Sequence, residues 1–222
     1  MIDIWKNYDL MCEEVSSVIK IKSLHKSHFV LGLATGSTPI GIYMNMVADG
    51  WDTSNIYTFN LDDYVDLPYN HPQSYEYFME EHLFAYKQFR KSYFPTEANY
   101  RNYDIMIRRF PIDIQILGIG TNGHIAFNEP GTPRDSLTRK VKLTQNTIQD
   151  NSRFFGDDVN EVPTHAYSMG IESIMRAKKI YLIAQGKHKK DILEKACYGD
   201  ITSDIPASFL QEHDNIEVFY CD

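Results

Sequence analysis

The sequence predicts an α/β protein with a doubly wound, mostly parallel sheet that carries helices on both faces, as in a Rossmann-like three-layer sandwich. Short, continuous apolar runs rich in β-branched residues recur along the chain, and stretches of helical periodicity alternate with them. Such runs are typical of strands buried on both faces of a parallel sheet. The chain has 222 residues, 43% of them hydrophobic, and no internal repeat or low-complexity tract. We therefore expect a single domain over residues 1–222.

Hydrophobic spacing places the elements of the first half of the chain. Apolar residues at mostly helical spacing predict an opening helix over residues 3–21. A buried apolar run predicts a strand over 29–34, a glycine loop follows it, and Pro39 suits the first position of a helix that runs through Val47. A β-branched and aromatic run predicts a strand over 56–60, and the pattern beyond it predicts helices over 73–84 and 103–110.

Strands and helices also alternate in the second half of the chain, and this order predicts which loops lie at the same edge of the sheet. Strands are predicted over residues 112–117, 141–143, 180–184 and 216–220, and helices over 146–155, 166–177 and 189–197. Right-handed crossovers put the ends of the strands near residues 34, 60, 118 and 185 on one edge of the sheet. Four loops that are distant in sequence are therefore expected to converge on one pocket.

The charge of the chain disfavours some binding partners, and its cysteines disfavour a disulfide framework. The formal net charge of −8 repels nucleic acid and anionic membranes, so neither is expected as a partner. Cys12, Cys197 and Cys221 are widely spaced, which favours reduced thiols over a disulfide framework or a zinc site. No signal peptide and no apolar run of membrane-spanning length is evident, so we expect a soluble, cytoplasmic protein.

Two glycine loops carry polar groups at predicted strand ends. Gly36, Ser37 and Thr38 precede a helix whose N-terminus favours an anion, so this loop is a candidate phosphate site; an ordinary turn capped by Ser37 or Thr38 is the alternative. The second loop, over residues 118–132, presents Asn122, His124 and Glu129, a set suited to a histidine acid-base.

The second loop also invites two other interpretations. It matches the dinucleotide pattern G-x-G-x-x-G, but no helix opens directly after it, which disfavours a nicotinamide cofactor. His71, His82, His124, Asp62 and Glu129 are metal-ligand types, but they lack a recognised ligand spacing, so no metal site is expected.

The remaining candidates are a pair of carboxylates and a few cations. Asp62 and Asp63 end a predicted strand and point in opposite directions, so one is expected to work as a proton shuttle and the other to be structural or a helix N-cap. Residues alone do not say which. Arg153 and the lysines that follow the strand over 180–184 are candidates for binding an anion.

Taken together, these residues resemble the glucosamine-6-phosphate deaminase family. The resemblance lies in LGLATGSTP (31–39), FNLDDY (59–64), GTNGHIAFNEPGT (120–132) and NSRFF (151–155), which follow the family's order over nearly the whole chain. It implies a hydrolase of amino-sugar metabolism that converts glucosamine 6-phosphate and water into fructose 6-phosphate and ammonia. It implies no metal or organic cofactor, and a small-molecule sugar phosphate as the ligand.

The resemblance also implies a role for each candidate residue. His124 would open the sugar ring, with Glu129 and Asn122 orienting it, and Asp62 would act as base at C2 and acid at C1. Gly36, Ser37 and Thr38 would bind the phosphate together with Arg153 and a late lysine, for which the spacing favours Lys189 over Lys187.

Departures from the family pattern carry further expectations. Some members have aspartate where this chain has Asn122, so the charge around His124 differs. The chain is short for the family, from which we expect a monomer without allosteric control by the N-acetylated sugar phosphate, although a homo-oligomer stays open. Residues 137–162 would form a mobile lid.

Two other functions remain as alternatives. A 6-phosphogluconolactonase-like sugar-lactone hydrolase would share the fold and a glycine-histidine loop, but such enzymes lack FNEPG (127–131) after it. A non-catalytic sugar-phosphate sensor need not keep both Asp62 and His124. Release of ammonia from glucosamine 6-phosphate distinguishes the deaminase from both.

Overall fold

A parallel sheet forms the centre of the molecule. The computed structural model describes residues 2–222, without the side chain of Asp150. Within these residues, seven strands form a sheet of order β1-β10-β9-β6-β2-β3-β5, and every adjacent pair is parallel. Helices surround the sheet, which confirms the predicted doubly wound α/β fold.

The elements have the following bounds. The strands are β1 Ile2–Trp5, β2 Phe29–Leu33, β3 Ile56–Asn60, β4 Asp62–Tyr64, β5 Lys91–Tyr93, β6 Ile114–Gly118, β7 Arg139–Lys142, β8 His165–Ser168, β9 Ile180–Gln185 and β10 Ile216–Cys221. The helices are α1 Tyr8–Leu24, α2 Ile40–Asp49, α3 Tyr75–Met79, α4 Tyr103–Arg109, α5 Gln145–Asn151, α6 Ile171–Met175 and α7 Lys190–Tyr198. A π-helical turn, Glu80–Phe84, extends α3, and short 3₁₀ turns include Ser152–Phe154 and Lys187–Lys189.

Burial explains why the central strands read as unbroken apolar runs. All residues of β2 are buried, as are all of β9 except its last. A strand covered by helices on both faces has no solvent side on which to place polar residues, so alternation disappears. The core therefore lies on both sides of β2, β6 and β9.

The N-terminal segment corrects one sequence prediction. The helix predicted over residues 3–21 is a strand at its start: Ile2–Trp5 pairs in parallel with β10 at the edge of the sheet, and the helix begins only at Tyr8. The Asn7 side chain accepts a hydrogen bond from the Leu10 N–H at 2.9 Å and caps the helix. An Asn cap of this kind marks the true start of a helix.

A small antiparallel sheet corrects a second prediction. Residues 166–177, predicted as one helix, contain β8 followed by α6, and β8 lies between β4 and β7. Gly170 is the N-cap of α6 and separates the two elements. A short apolar stretch fits either periodicity, and here pairing with two neighbouring strands decides for the strand.

The order of the strands defines a switch point between β2 and β6. From β2 the chain continues to β3 on one side, whereas from β6 it continues to β9 on the other side. Ligands of open α/β sheets bind beyond the carboxyl ends of strands at such a point. No helix within residues 2–222 is long and apolar enough to cross a membrane.

Candidate active site

Both glycine loops lie at the switch point. The loop over residues 34–39 leaves β2 and enters α2, and the loop over residues 119–132 leaves the adjacent strand β6. Residues 119–138, all of which are described, contain no helix. The second loop therefore lacks the structure that a dinucleotide fingerprint requires.

The backbone of the second loop is shaped to hold an imidazole. A Cβ at Gly120 would lie 2.1 Å from the His124 ring, so only glycine leaves room for it. Gly123 has a φ of +83°, and Ala126 has a φ of +50° in the left-handed region. A non-glycine residue in that region is strained, and such strain is characteristic of functional sites.

Hydrogen bonds fix the orientation and tautomer of His124. The Asn122 amide donates from Nδ2 to Glu129 Oε2 at 2.8 Å, which leaves Asn122 Oδ1 as an acceptor. His124 Nδ1 lies 2.7 Å from that oxygen, so Nδ1 carries the proton in the neutral ring. His124 Nε2 is then the proton acceptor, as an acid-base group needs.

Glu129 is held by a residue that sequence reasoning did not single out. The Thr147 hydroxyl, on α5, donates to Glu129 Oε1 at 2.6 Å. Glu129 Oε1 lies 3.9 Å from His124 Nδ1, beyond hydrogen-bond distance. The carboxylate thus supports His124 through Asn122 and is itself fixed from the opposite side by α5.

The structure separates the two adjacent aspartates. Asp63 accepts backbone N–H bonds from Tyr64 at 2.7 Å, Tyr75 at 2.9 Å and Glu76 at 3.3 Å, so it holds the start of α3. Asp62 is 6% exposed, and no group within residues 2–222 hydrogen-bonds its side chain. Asp63 is therefore the structural member of the pair.

Burial makes Asp62 an unusual carboxyl group. Its removal from water, and secondarily the charge of Asp63, raises the pKa of Asp62 to about 8. Burial likewise raises the pKa of Asp63 to about 6, although three N–H donors oppose the shift. A carboxyl with a pKa close to neutral can both accept and return a proton, whereas an ordinary exposed aspartate is a poor acid at pH 7.

Strand β8 holds the aspartate and the histidine loop together. Asp62 pairs with Ser168 across β4 and β8, and the Ser168 hydroxyl accepts the Phe127 N–H at 3.1 Å. The next residue, Met169, donates its N–H to Leu61 and accepts the Asn128 side-chain amide through its carbonyl, both at 2.8 Å. Sequence reasoning missed this connection because it assigned residues 166–177 to a helix.

Tyr8, at the start of α1, hydrogen-bonds the backbone at the end of the candidate phosphate loop and just after it. Tyr8 Oη donates to the Thr38 carbonyl at 2.8 Å and accepts the Gly41 N–H at 2.8 Å. Gly36 has a φ of +90°, and no side chain caps the N-terminus of α2. Gly36, Ser37 and Thr38 therefore sit at a helix start whose dipole favours an anion.

Two cations, Lys189 and Arg153, lie close enough to interact with each other. Lys189 is half-buried, and its ammonium donates to the Ile119 carbonyl, at the start of the histidine loop, at 2.8 Å. Burial first, and then repulsion from Arg153, lowers the pKa of Lys189. Lys187 is exposed. Of the two lysines, only Lys189 is placed next to both Arg153 and the histidine loop.

The metal interpretation of the sequence finds no geometric basis in the described part of the chain. Among residues 2–222, no three His, Cys, Asp or Glu side chains are grouped so that they could hold a metal ion. His82, on the π-helical extension of α3, instead contacts the ring of Phe78 in α3. His71 stacks on Phe155.

Comparison with known proteins gives consistent matches. The family described as glucosamine-6-phosphate isomerases/6-phosphogluconolactonase matches residues 7–219. A Listeria monocytogenes protein named glucosamine-6-phosphate deaminase is 52% identical over 194 residues, which cover 85% of this chain and 82% of that protein. A solved structure described as a monomeric glucosamine-6-phosphate deaminase superposes with a TM-score of 0.93 at 34% identity, covering 99% of this chain and 96% of the other. A Thermotoga maritima 6-phosphogluconolactonase superposes with a TM-score of 0.80 at 18% identity over 100% and 99% of the chains, which shows a shared fold.

Proposed function

Because the chain belongs to the family of glucosamine-6-phosphate isomerases and 6-phosphogluconolactonases, we propose that it converts glucosamine 6-phosphate and water into fructose 6-phosphate and ammonia. The observation that carries the proposal is the pairing of two proton carriers, joined through β8. One is a histidine with a defined tautomer, and the other is a buried carboxyl whose pKa lies near 8. The 52% identity to a protein named for this reaction supports the deaminase over the lactonase.

Ring opening is the first step that the site supports. His124 Nε2 accepts the proton of the C1 hydroxyl and returns it to the ring oxygen, which breaks the bond between C1 and that oxygen. Asn122 stabilises the imidazolium formed in between by accepting from Nδ1, and Glu129 holds Asn122. The open chain then carries an aldehyde at C1 and an amine at C2.

Proton transfer between carbons follows at Asp62. Its carboxylate removes the C2 proton while the aldehyde oxygen takes up a proton from solvent water, giving an enolamine. The same carboxyl then delivers its proton to C1, and the nitrogen lone pair forms the imine at C2. Water adds to C2 and ammonia leaves, so the net reaction is cleavage of a C–N bond by water, as a hydrolase performs.

The phosphate anchors the substrate at the other end of the pocket. Gly36, Ser37 and Thr38 offer backbone N–H groups and hydroxyls, and Arg153 and Lys189 supply positive charge. Such a local field is needed because the net charge of −8 opposes an anionic substrate at long range. The chemistry derived for these residues uses no metal or organic cofactor.

The lid and the oligomeric state complete the proposal. Residues 137–162 include β7, α5 and the turn that carries Arg153, and we propose that this segment closes over the substrate. The similarity to a protein described as monomeric supports a monomer. Light scattering would report a single mass close to 25.8 kDa, and a mass that is a multiple of it would contradict a monomer.

Release of ammonia from glucosamine 6-phosphate tests the function directly. The assay couples ammonia to a reporter dehydrogenase, with Asp62→Asn as the matched inactive control. Turnover that falls about 10²- to 10⁴-fold in the control supports the proposal. Hydrolysis of 6-phosphogluconolactone without release of ammonia would assign the chain to the lactonase branch, and binding without turnover would assign it to a sensor.

A further inference from the structure

Helix α5 contacts both halves of the proton-transfer site through one face. Thr147 and Asn151 are four residues apart, which places them one turn apart on the same side of a helix. Thr147 donates to Glu129 Oε1 at 2.6 Å, and Asn151 Nδ2 donates to the Tyr64 hydroxyl at 2.9 Å. Glu129 belongs to the histidine loop, whereas Tyr64 lies on β4, two residues after Asp62.

We infer that Thr147 and Asn151 are positioning residues through which α5 sets the histidine half and the aspartate half of the site relative to each other. The inference rests on the proposed function. Neither side chain has a proton to exchange at neutral pH, so each acts through its partner. Thr147 keeps Glu129 aligned on Asn122 and thereby on His124, and Asn151 holds the strand that carries Asp62.

Local structure makes α5 suitable for this role. The Thr144 hydroxyl accepts the Thr147 N–H at 3.1 Å and caps the helix. The same hydroxyl lies 2.9 Å from the Thr147 hydroxyl, so the side chain of Thr147 is held on both sides, by Thr144 and by Glu129. Ile148, between the two positioning residues, is buried with Tyr64, Phe127 and Leu143 in a small apolar cluster separate from the main core. Through this cluster, α5 packs against both β4, which carries Asp62, and the histidine loop.

The same helix leads directly into the phosphate site. Arg153 lies in the 3₁₀ turn Ser152–Phe154 that follows α5 without a break. Displacement of the whole segment would therefore disturb phosphate binding, whereas loss of one hydrogen bond from Thr147 or Asn151 would not. This difference separates a positioning role from a merely structural one.

The experiment compares kcat, KM and competitive inhibition by inorganic phosphate in the full-length protein and its variants. Thr147→Val keeps the shape but removes the donor, and because the acceptor is a carboxylate we expect kcat to fall about 10- to 100-fold. KM and the inhibition constant for phosphate should change less than about threefold, and Thr147→Ser, which keeps the hydroxyl, should recover kcat to within about threefold.

The second pair is tested by non-additivity. Asn151→Leu should lower kcat about 10-fold, and Tyr64→Phe should lower kcat less in the Asn151→Leu background than in the parent, because both changes remove the hydrogen bond between Asn151 and Tyr64. Gln149→Ala is the matched control, since its exposed side chain lies on the opposite face of α5, and it should leave kcat unchanged.

Three results would overturn the inference while leaving the proposed function intact: kcat of Thr147→Val within threefold of the parent, no recovery in Thr147→Ser, or a rise in the phosphate inhibition constant equal to the loss of kcat. If the parent protein itself releases no ammonia, the proposed function fails and this inference fails with it.

Discussion

Replacing Asp63 by asparagine tests whether the buried carboxyl pair sets the pH dependence of turnover. Burial and the charge of Asp63 raise the pKa of Asp62 to about 8. A base with that pKa is ionised in about one molecule in ten at pH 7. We therefore expect kcat/KM at pH 7 to be about tenfold below its plateau and to rise as the pH passes 8.

The Asp63→Asn variant removes a charge and keeps most of the structure. Its remaining oxygen can still accept the Tyr64 and Tyr75 N–H groups, which now bind Oδ1. Since a neighbouring negative charge disfavours ionisation, its removal lowers the pKa of Asp62. Burial is the larger cause of the raised pKa of Asp62, and the variant does not change it. The rising limb of the kcat/KM profile should therefore move to lower pH but stay above the pKa range of an ordinary aspartate.

The assay is kcat/KM for ammonia release across about pH 5.5 to 9.5. The amine and phosphate of the substrate titrate identically with both proteins, so a difference between the two profiles belongs to the enzyme. Thermal unfolding of the variant checks that the start of α3 is intact. A kcat/KM of the parent that is constant between pH 6 and 9 would refute the assignment of Asp62 as the base. So would a rising limb that stays at the same pH, or moves to higher pH, in Asp63→Asn.

Three further changes address other parts of the molecule. Lys189→Ala should raise KM about tenfold or more with a smaller effect on kcat, because a charge-assisted contact to the phosphate is lost, while Lys187→Ala should behave like the parent in the same steady-state assay. Asn122→Asp brings a second carboxylate against His124 and stabilises its charged form, so the ring-opening limb of the pH profile should move to higher pH; an unchanged profile would contradict the role of residue 122. Asp113→Asn should cost about 1 to 3 kcal/mol of unfolding free energy in urea titrations, because Asp113 accepts from two lysine ammonium groups and a backbone N–H at the start of β2. Burial opposes ionisation of Asp113, but those donors outweigh it and lower its pKa, so its contribution is present above the unfolded-state pKa and should vanish as the pH falls through the lower folded-state value.

The central sheet could be predicted from sequence because its strands are covered on both faces. The segments 29–34 and 180–184 have no face exposed to solvent, so nearly all of their residues are apolar and the local sequence indicates a buried strand. The edge strand β1 and the antiparallel strand β8 were missed, since each is only four residues long and is defined by its pairing partner. Pairing between distant segments leaves little trace in a local pattern.

The candidate site divides in the same way. Asp62, His124 and Glu129 follow predicted strand ends, and the structure places them around one switch point through β8 and the loops. The local pattern did not distinguish Asp62 from Asp63, and only the family resemblance selected Asp62, because the distinction depends on α3 beginning where Asp63 can accept its N–H groups. Thr147 and Asn151 lay on a predicted helix, but its inward face is decided only by packing against Tyr64 and Phe127.

The segment from β7 to Arg153 joins the parts of the site that the main sheet keeps apart. Within residues 139–153 the chain pairs with β8, which also pairs with Asp62, then contacts Glu129 and Tyr64 through α5, and ends at Arg153, the proposed phosphate ligand. In the proposed mechanism, binding of the phosphate at Arg153 would therefore fix the far end of the segment inferred to align the two proton carriers. Binding energy gained at a group that does not react is in this way available to hold the reacting groups in position, as differential stabilisation of a transition state requires.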